Sequence, residues 1–461
     1  MIFKNPIIPN SSTFVGEKKT LDYEAICVFV ATGFFLDNDT YYKEQKALKP
    51  AFEYQLDEKG KTIISEKSYF KWYYKPVERP LNEIVKEFAT LFETIIKEQV
   101  GDKRVILPLS GGLDSRTQAA ALFHLGNKVN AYSYAFDGGH DETYYAKKIA
   151  KVCNFPFQDW KIPNGYLWNK IEKLAKINQC YSEFTHPRQM AFVDEYDKLG
   201  DIFNLGHWGD VLFDDMGVPD DMPLEKQTEI IAKKVIKKGG LELANTLWES
   251  WKLEGDFEEY LSERIKTLLE NINIPQSANA QIRAFKSLYW APRWTNTNLS
   301  VFESVRPITV PYFDNRMCEF ICSVPEKYLA GRQIQIEYLK MRMPDLAKIT
   351  WQDHRPFNLY QYHWNKMPFN LPYKIYNKIK YKLFTKKIIQ RNWELQFVGK
   401  ENKKELQKWL FENTSFQELI SNDLITSFYD KFTNKDSVYY SHLLSMLLTL
   451  SLFSKQKDNA I

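Results

Sequence analysis

The residues best suited to chemistry in this chain are Ser110-Gly111-Gly112-Leu113-Asp114-Ser115. The glycines let the backbone turn tightly and bring its N–H groups close to an anion. A helix starting just behind them would add a partial positive charge. Ser110 and Ser115 supply hydroxyl donors. This combination suits a phosphate or pyrophosphate. An acidic side chain inside an anion nest needs a reason, and a magnesium ion held on the phosphates by Asp114 supplies one. The plainer alternative is a glycine turn in which Asp114 caps a helix. The full hexapeptide between a strand and a helix favours the phosphate reading.

The flanking sequence provides those elements. Arg104 to Leu109 is a short apolar strand, and a helix runs from Asp114 to Leu125, where Gly126 ends it. Val129 to Phe136 predicts a second strand, Glu142 to Val152 a helix, and Asp201 to Leu205 a further strand ending at Gly206. Such alternation predicts an α/β fold, a parallel doubly wound sheet covered by helices on both faces. Ahead of it, residues 1–75 read as β-rich. Tyr23 to Phe35 carries β-branched and aromatic residues, and Ala25 to Leu36 reads as a core strand pair. Asp57-Glu58-Lys59-Gly60 turns a hairpin between residues 51–56 and 61–64. Apolar residues from Leu81 to Ile95 follow helical spacing. Residues 222–455 are mainly helical by pattern, and Leu443 to Phe453 reads as a buried helix. Three regions are expected: 1–78, 79–360 and 361–461.

The loop Ser110–Ser115 matches the pyrophosphate-binding loop of N-type ATP pyrophosphatases. More closely, residues 80–360 resemble the synthetase domain of glutamine-dependent asparagine synthetases. Ser133-Tyr134-Ala135-Phe136 resembles the family's adenine-contacting second strand. Asp141-Glu142, Tyr145-Ala146 and Ala150 resemble the helix after it. Leu205-Gly206-His207-Trp208-Gly209-Asp210 resembles the family's second glycine loop, and Pro311-Tyr312-Phe313-Asp314 its Pro-Phe-Leu-Asp. The resemblance implies an adenine nucleotide α-hydrolase-like fold and an AMP-forming amide ligase. ATP would activate a carboxylate as an acyl-adenylate, and ammonia or an amine would then attack. It implies that Leu109, Ser110, Gly111, Gly112, Leu113, Asp114, Ser115, Phe136, Leu205 and Gly206 bind ATP. Asp114 and Asp210 would hold Mg²⁺.

The departures from the family narrow this reading. Glutamine-dependent members carry a nucleophilic cysteine after the initiator Met. Here position 2 is Ile2, and the first cysteine is Cys27. Residues 35–75 nevertheless resemble the last strands of the amidotransferase domain. The N-terminal region is thus expected to be a remnant without glutaminase chemistry. Nitrogen would come from free ammonia, a separate glutaminase or an amine on the second substrate. His207 stands where the family has a general-base glutamate, and a histidine can still accept a proton near neutral pH. The alternative is a structural histidine. His354 takes the slot of the family's pyrophosphate-stabilising lysine, beside Arg355. Arg355 can grip phosphate or merely pair with Asp353. Thr309 replaces the acceptor-pocket arginine, with Arg306 displaced from it. A changed base and pocket leave open a specialised acceptor, such as a peptide or a surface-glycan uronic acid. A non-catalytic nucleotide-binding subunit is the remaining alternative.

Bulk properties set the outer limits. The 461 residues are 44% hydrophobic and 26% charged, which suits a globular protein of several domains. A net charge of +4 gives no reason to expect a nucleic-acid partner. The partner is expected to be a small-molecule or carrier-bound carboxylate. The five cysteines form no Cys-x-x-Cys pair, so buried, reduced thiols in a cytoplasmic protein are expected. No signal peptide is apparent. Lys374 to Arg391 holds seven Lys/Arg residues and no acids, interleaved with Tyr376, Tyr381 and Phe384. That run fits a helix on an anionic membrane surface, a patch for an acidic substrate or carrier, or a solvated helix face.

Overall fold

A computed structural model describes residues 1–141, 143–383 and 388–458, with the backbone alone for 380–383 and 458. Glu142 and Phe384, named above, and Lys386 and Lys387 of the basic run lie outside the described residues.

The N-terminal region holds five short strands, β1 (Ile2–Lys4), β2 (Phe14–Gly16), β3 (Gln45–Ala47), β4 (Phe52–Leu56) and β5 (Ile63–Ser68). They form an antiparallel sheet ordered β1-β4-β5 and a separate β2-β3 pair. The expected hairpin is β4-β5. Asp57 fixes its turn by accepting from the N–H groups of Lys61 and Thr62 at 2.7 and 3.2 Å.

The expected strand pair at Ala25–Leu36 is instead helix α1 (Tyr23–Thr32). Asp22 caps it by accepting from the Ala25 N–H at 3.1 Å, and Gly33 ends it in the left-handed region at φ 83°. Every residue from Ala25 to Thr32 is buried, so the sequence carries no polar face to reveal the helical period. The helix packs against Gly240–Ser250, where a Cβ on Gly240 would lie 2.4 Å from the Ala31 carbonyl oxygen. Helix α2 (Leu81–Val100) forms as its spacing predicts and buries Ile84, Phe88, Phe92 and Ile95.

The central sheet contains β6 (Val105–Pro108), β7 (Val129–Phe136), β8 (Phe157–Ile162), β9 (Ile202–Asn204) and β10 (Ile308–Thr309). All four pairings are parallel and the order is β10-β9-β6-β7-β8. Helices α3 (Asp114–His124), α4 (Thr143–Val152) and α5 (Tyr166–Asn178) follow β6, β7 and β8. This is the doubly wound α/β fold that the alternation predicts. Beyond β9 the chain is mainly helical. Its last helix, Ser437–Asp458, buries Leu443 to Phe453 and packs on α5 and on Gly240–Ser250. All five cysteines are buried and free. Among the described residues, no helix is long and apolar enough to cross a membrane.

Candidate active site

From β6 the chain steps outward to β7 and β8, then returns to place β9 and β10 on the other side. In an open parallel sheet, ligands bind beyond the carboxyl ends of the strands where the winding reverses. The two loops at that point are Ser110–Ser115 after β6 and Leu205–Asp210 between β9 and the short helix α6 (Gly209–Leu212).

In the first loop the amides of Ser110, Gly111 and Gly112 already have acceptors. Ser115 Oγ accepts from the Ser110 N–H at 3.0 Å, and Ser110 Oγ accepts from the Gly112 N–H at 3.2 Å. The Gly111 N–H donates to Gln352 Oε1 at 3.1 Å. Leu113 occupies the cap position of α3 with no side-chain capping bond, and Asp114 is the first helical residue. The Asp114 carboxylate is therefore not the cap. It pairs with the Arg332 guanidinium and accepts from Gln335 Nε2 at 3.0 Å. Gln335 also donates to the Tyr312 hydroxyl at 2.8 Å, which ties in the Pro311–Asp314 stretch. Asp314 itself caps the helix Asn315–Cys322 and pairs with Arg316.

The second loop is pressed onto the start of α3. A Cβ on Gly206 would lie 2.8 Å from Gln118 Oε1 and 3.2 Å from Asp114 Cβ. A Cβ on Gly209 would lie 2.1 Å from Asp114 Oδ1. Trp208 between them is held at φ 76° and donates from its indole to Ser287 Oγ at 3.1 Å. A bulky residue in the left-handed region is uncommon and marks a constrained turn. Asp210 is exposed at the end of this loop, and its field reaches Asp114, Arg332, His207 and Lys286. Burial pushes the Asp114 carboxyl up, Arg332 pulls it down, and Asp210 pushes it up again. Two carboxylates thus share a neighbourhood with the Arg332 guanidinium and the Lys286 ammonium. Among the described residues, no three His, Cys, Asp or Glu side chains group to hold a metal unaided. A pair of carboxylates completed by phosphate oxygens is nonetheless a donor set that magnesium uses.

A strap from residue 346 to 352 closes one side. Arg116 is fully buried and donates to the carbonyls of Gly111, Ile349 and Thr350 at 2.9–3.0 Å. Burial lowers its pKa to about 10, so it stays charged. Beyond Gln352, Arg355 is exposed and donates to the Gln352 carbonyl at 2.9 Å. Its charge acts on Tyr145, whose Cβ would be 3.0 Å from a Cβ on Gly111. No ion pair joins Arg355 to Asp353 among the described residues. His354 stacks on Trp351 with ring centroids 4.0 Å apart.

On the other side lies a polar wall in which the sequence pointed to His207 and Phe136 but not to His186, Lys237 or Lys286. The Nδ1 atom of His207 is buried without a partner, and burial drives the ring down to about 4 against the pull of Asp210. His186 stacks against Trp294 at 4.4 Å and is driven by burial to about 3. Lys237 lies 5.7 Å from the Trp290 ring centre and 5.9 Å from that of Trp294. Lys286 lies 5.8 Å from the Trp290 centre, and burial lowers it to about 8. Neither lysine has a carboxylate within 4 Å among the described residues. Phe136, at the end of β7, is buried under the Arg188 guanidinium at 5.5 Å. Leu109 and Leu205 are buried at the ends of their strands. Thr309 is locked between strands, accepting from Asn204 Nδ2 at 3.0 Å and donating to the Phe203 carbonyl at 2.8 Å. Arg306 binds the Gly200 carbonyl and Asp197 ahead of β9, at the opposite end of the sheet. It is not a displaced acceptor-pocket arginine.

The asparagine synthase family model matches residues 87–196, which begin within α2 and run through the Ser110–Ser115 loop and past α5. That stretch is similar to a family of ATP-using ligases; Asp210 and His207 lie beyond it. Among solved structures, NMN synthetase from Francisella tularensis is 16% identical, with 45% of this chain and 93% of that chain covered. Its TM-score is 0.23, too low to define the site. No curated protein matches.

Proposed function

We propose that the chain is an ATP-dependent ligase that forms AMP and pyrophosphate, adenylating a carboxylate and passing it to ammonia or an amine. The observation that carries this is the meeting of the Ser110–Ser115 nest with Asp114 and Asp210 at the sheet's reversal point. In the first half-reaction a carboxylate oxygen attacks the α-phosphorus and pyrophosphate leaves. The nest amides, the α3 N-terminus and Arg355 would stabilise the charge developing on the departing pyrophosphate. Asp114 and Asp210 would hold magnesium, which neutralises phosphate charge. In the second, the nitrogen attacks the acyl carbon, AMP leaves with the bonding pair, and the nitrogen loses a proton. His207, kept neutral by burial, is the proposed acceptor of that proton. Leu109, Phe136, Leu205 and Gly206 would border the nucleotide. The Trp351 stack turns His354 toward shaping the strap.

The wall favours a specialised acceptor. Lys237 and Lys286 are cations beside two indole rings, reached by the fields of Glu183 and Asp210 but paired at contact distance with no carboxylate among the described residues, which suits an anionic, ring-bearing acceptor such as a sugar acid. The proposed organisation is a remnant amidotransferase region (1–78), the ligase domain (79–360) and a helical extension (361–461). Free ammonia or a separate glutaminase would supply the nitrogen. The test is pyrophosphate release from ATP with panels of carboxylates and amines. Asp114→Ala is expected to lower the rate at least ~100-fold. Release at the wild-type rate in that variant, or ATP binding without turnover across the panel, overturns the proposal.

A further inference from the structure

A helix on a globular surface ordinarily turns its apolar row inward. Helix Leu371–Leu383 does the reverse. Its half-buried positions are Tyr373 and Asn377, one turn apart. Its apolar row, Leu371, Ile375 and Ile379, faces solvent beside Tyr376. Next to that row runs a second of lysines at the same four-residue spacing, Lys374 and Lys378, continued in sequence by Lys382. The segment leading into the helix adds Trp364, Met367 and Phe369 to the exposed apolar surface. Exposure across these residues runs from 38% at Leu371 to 61% at Met367, far above what a helix resting on its own core shows.

Charge marks the same stretch of sequence. Between Asp353 and Glu394 there are nine Lys/Arg residues and no Asp or Glu. The whole chain is only +4, so the remainder is net negative and the excess positive charge lies in this one stretch. A second copy of the chain would bring like charges together, which disfavours self-docking through this face. A nucleic acid would use the cations but has no use for a row of isoleucines.

We propose that this face docks onto an anionic lipid surface, with the Leu371–Ile375–Ile379 row entering the boundary between headgroups and acyl chains and the lysine row resting on lipid phosphates. Thirteen residues of helix, about 20 Å long, lie in the plane of the interface and do not cross it. Trp364 and Tyr376 have the amphipathic rings that settle at headgroup level. The chain a dozen residues ahead of this segment is fastened to the Ser110–Ser115 loop through Gln352 and through Arg116 on the Thr350 carbonyl, so docking brings the candidate active site near the membrane. The inference is independent of which reaction that site performs.

The experiment is flotation of the full chain with vesicles of phosphatidylcholine alone and of phosphatidylcholine mixed with phosphatidylglycerol. The expected result is co-flotation with the anionic vesicles only, weakening as salt is raised. Ile375→Glu with Ile379→Glu should reduce binding at least tenfold while the unfolding curve is unchanged, since both side chains are exposed. Lys374→Glu with Lys378→Glu should do the same. Equal binding to both vesicle types, no binding to either, or anionic binding that survives the isoleucine pair of substitutions would overturn the proposal. So would light scattering that shows self-association abolished by that pair, which would assign the face to a second copy.

Discussion

Gly209 leaves no room for a side chain, because a Cβ there would strike the Asp114 carboxylate. Gly209→Ala must displace either Asp114 or the second loop. If Asp114 does the chemistry proposed, the substitution is expected to lower turnover at least ~10-fold, with the far-UV spectrum unchanged. Wild-type kinetics in this variant would remove Asp114 from the reaction. His207 makes a separate prediction through pH. A histidine accepts a proton only when neutral, and this ring titrates near 4 in place of its ordinary 6.5. The His207 contribution to the acid limb of kcat/KM should therefore stay level as pH falls through 6.5 and bend only toward pH 4, while the Asp114 carboxyl, pushed up to about 6 by burial, gives a separate limb that persists in His207→Asn. A limb centred near 6.5 that disappears in His207→Asn would show a solvated ring. Arg332 shows why part of the site was not legible in the sequence. It touches Asp114 across 218 residues, and no local pattern announces such a contact. The glycines and aspartates were legible because a tight turn and an anion nest impose residue types directly.

At the scale of elements, the strap from 346 to 352 depends on one buried cation. Arg116→Met would leave the carbonyls of Gly111, Ile349 and Thr350 without their donor. Orphaned buried acceptors are costly, so an unfolding free-energy loss of at least about 3 kcal/mol is expected in urea titration. A loss below about 1 kcal/mol would mean that the carbonyls find other donors. Strand β6, helix α3 and strand β7 were readable because their apolar runs end at glycine or at a nest. Helix α1 was not, since a segment buried all round has no period to read. Strand β8 escaped because its residues at the sheet edge are mostly half-exposed or exposed, so no apolar run marks it. Two-residue β10 carries too little pattern to be seen at all.

Across the whole molecule, one core cluster runs from Ile7 to Phe453 and joins the N-terminal region to the last helix. Tyr41 stacks on Phe453 with ring centroids 3.7 Å apart, and Arg293 reaches back to the Phe35 carbonyl at 3.4 Å. Whatever its chemical history, the N-terminal region shares its packing with the rest. Residues 79–461 expressed alone are expected to lose the cooperative unfolding transition of the full chain and to bind a hydrophobic dye. A sharp transition in that fragment would show that the first 78 residues are dispensable to the core.

The bond from the Gly111 N–H to Gln352 gives the Ser110–Ser115 loop an occupant of its own. If the loop binds ATP as proposed, the incoming triphosphate does not fill an empty cradle there; it must evict a tethered amide oxygen. An intramolecular rival acts at high effective concentration, so it weakens nucleotide affinity by a constant factor at every ATP level. The same rival returns once pyrophosphate loosens, and it competes against rebinding. Gln352→Ala should consequently bind ATP more tightly yet release pyrophosphate more slowly, so that one side chain sets the tempo at which the loop empties.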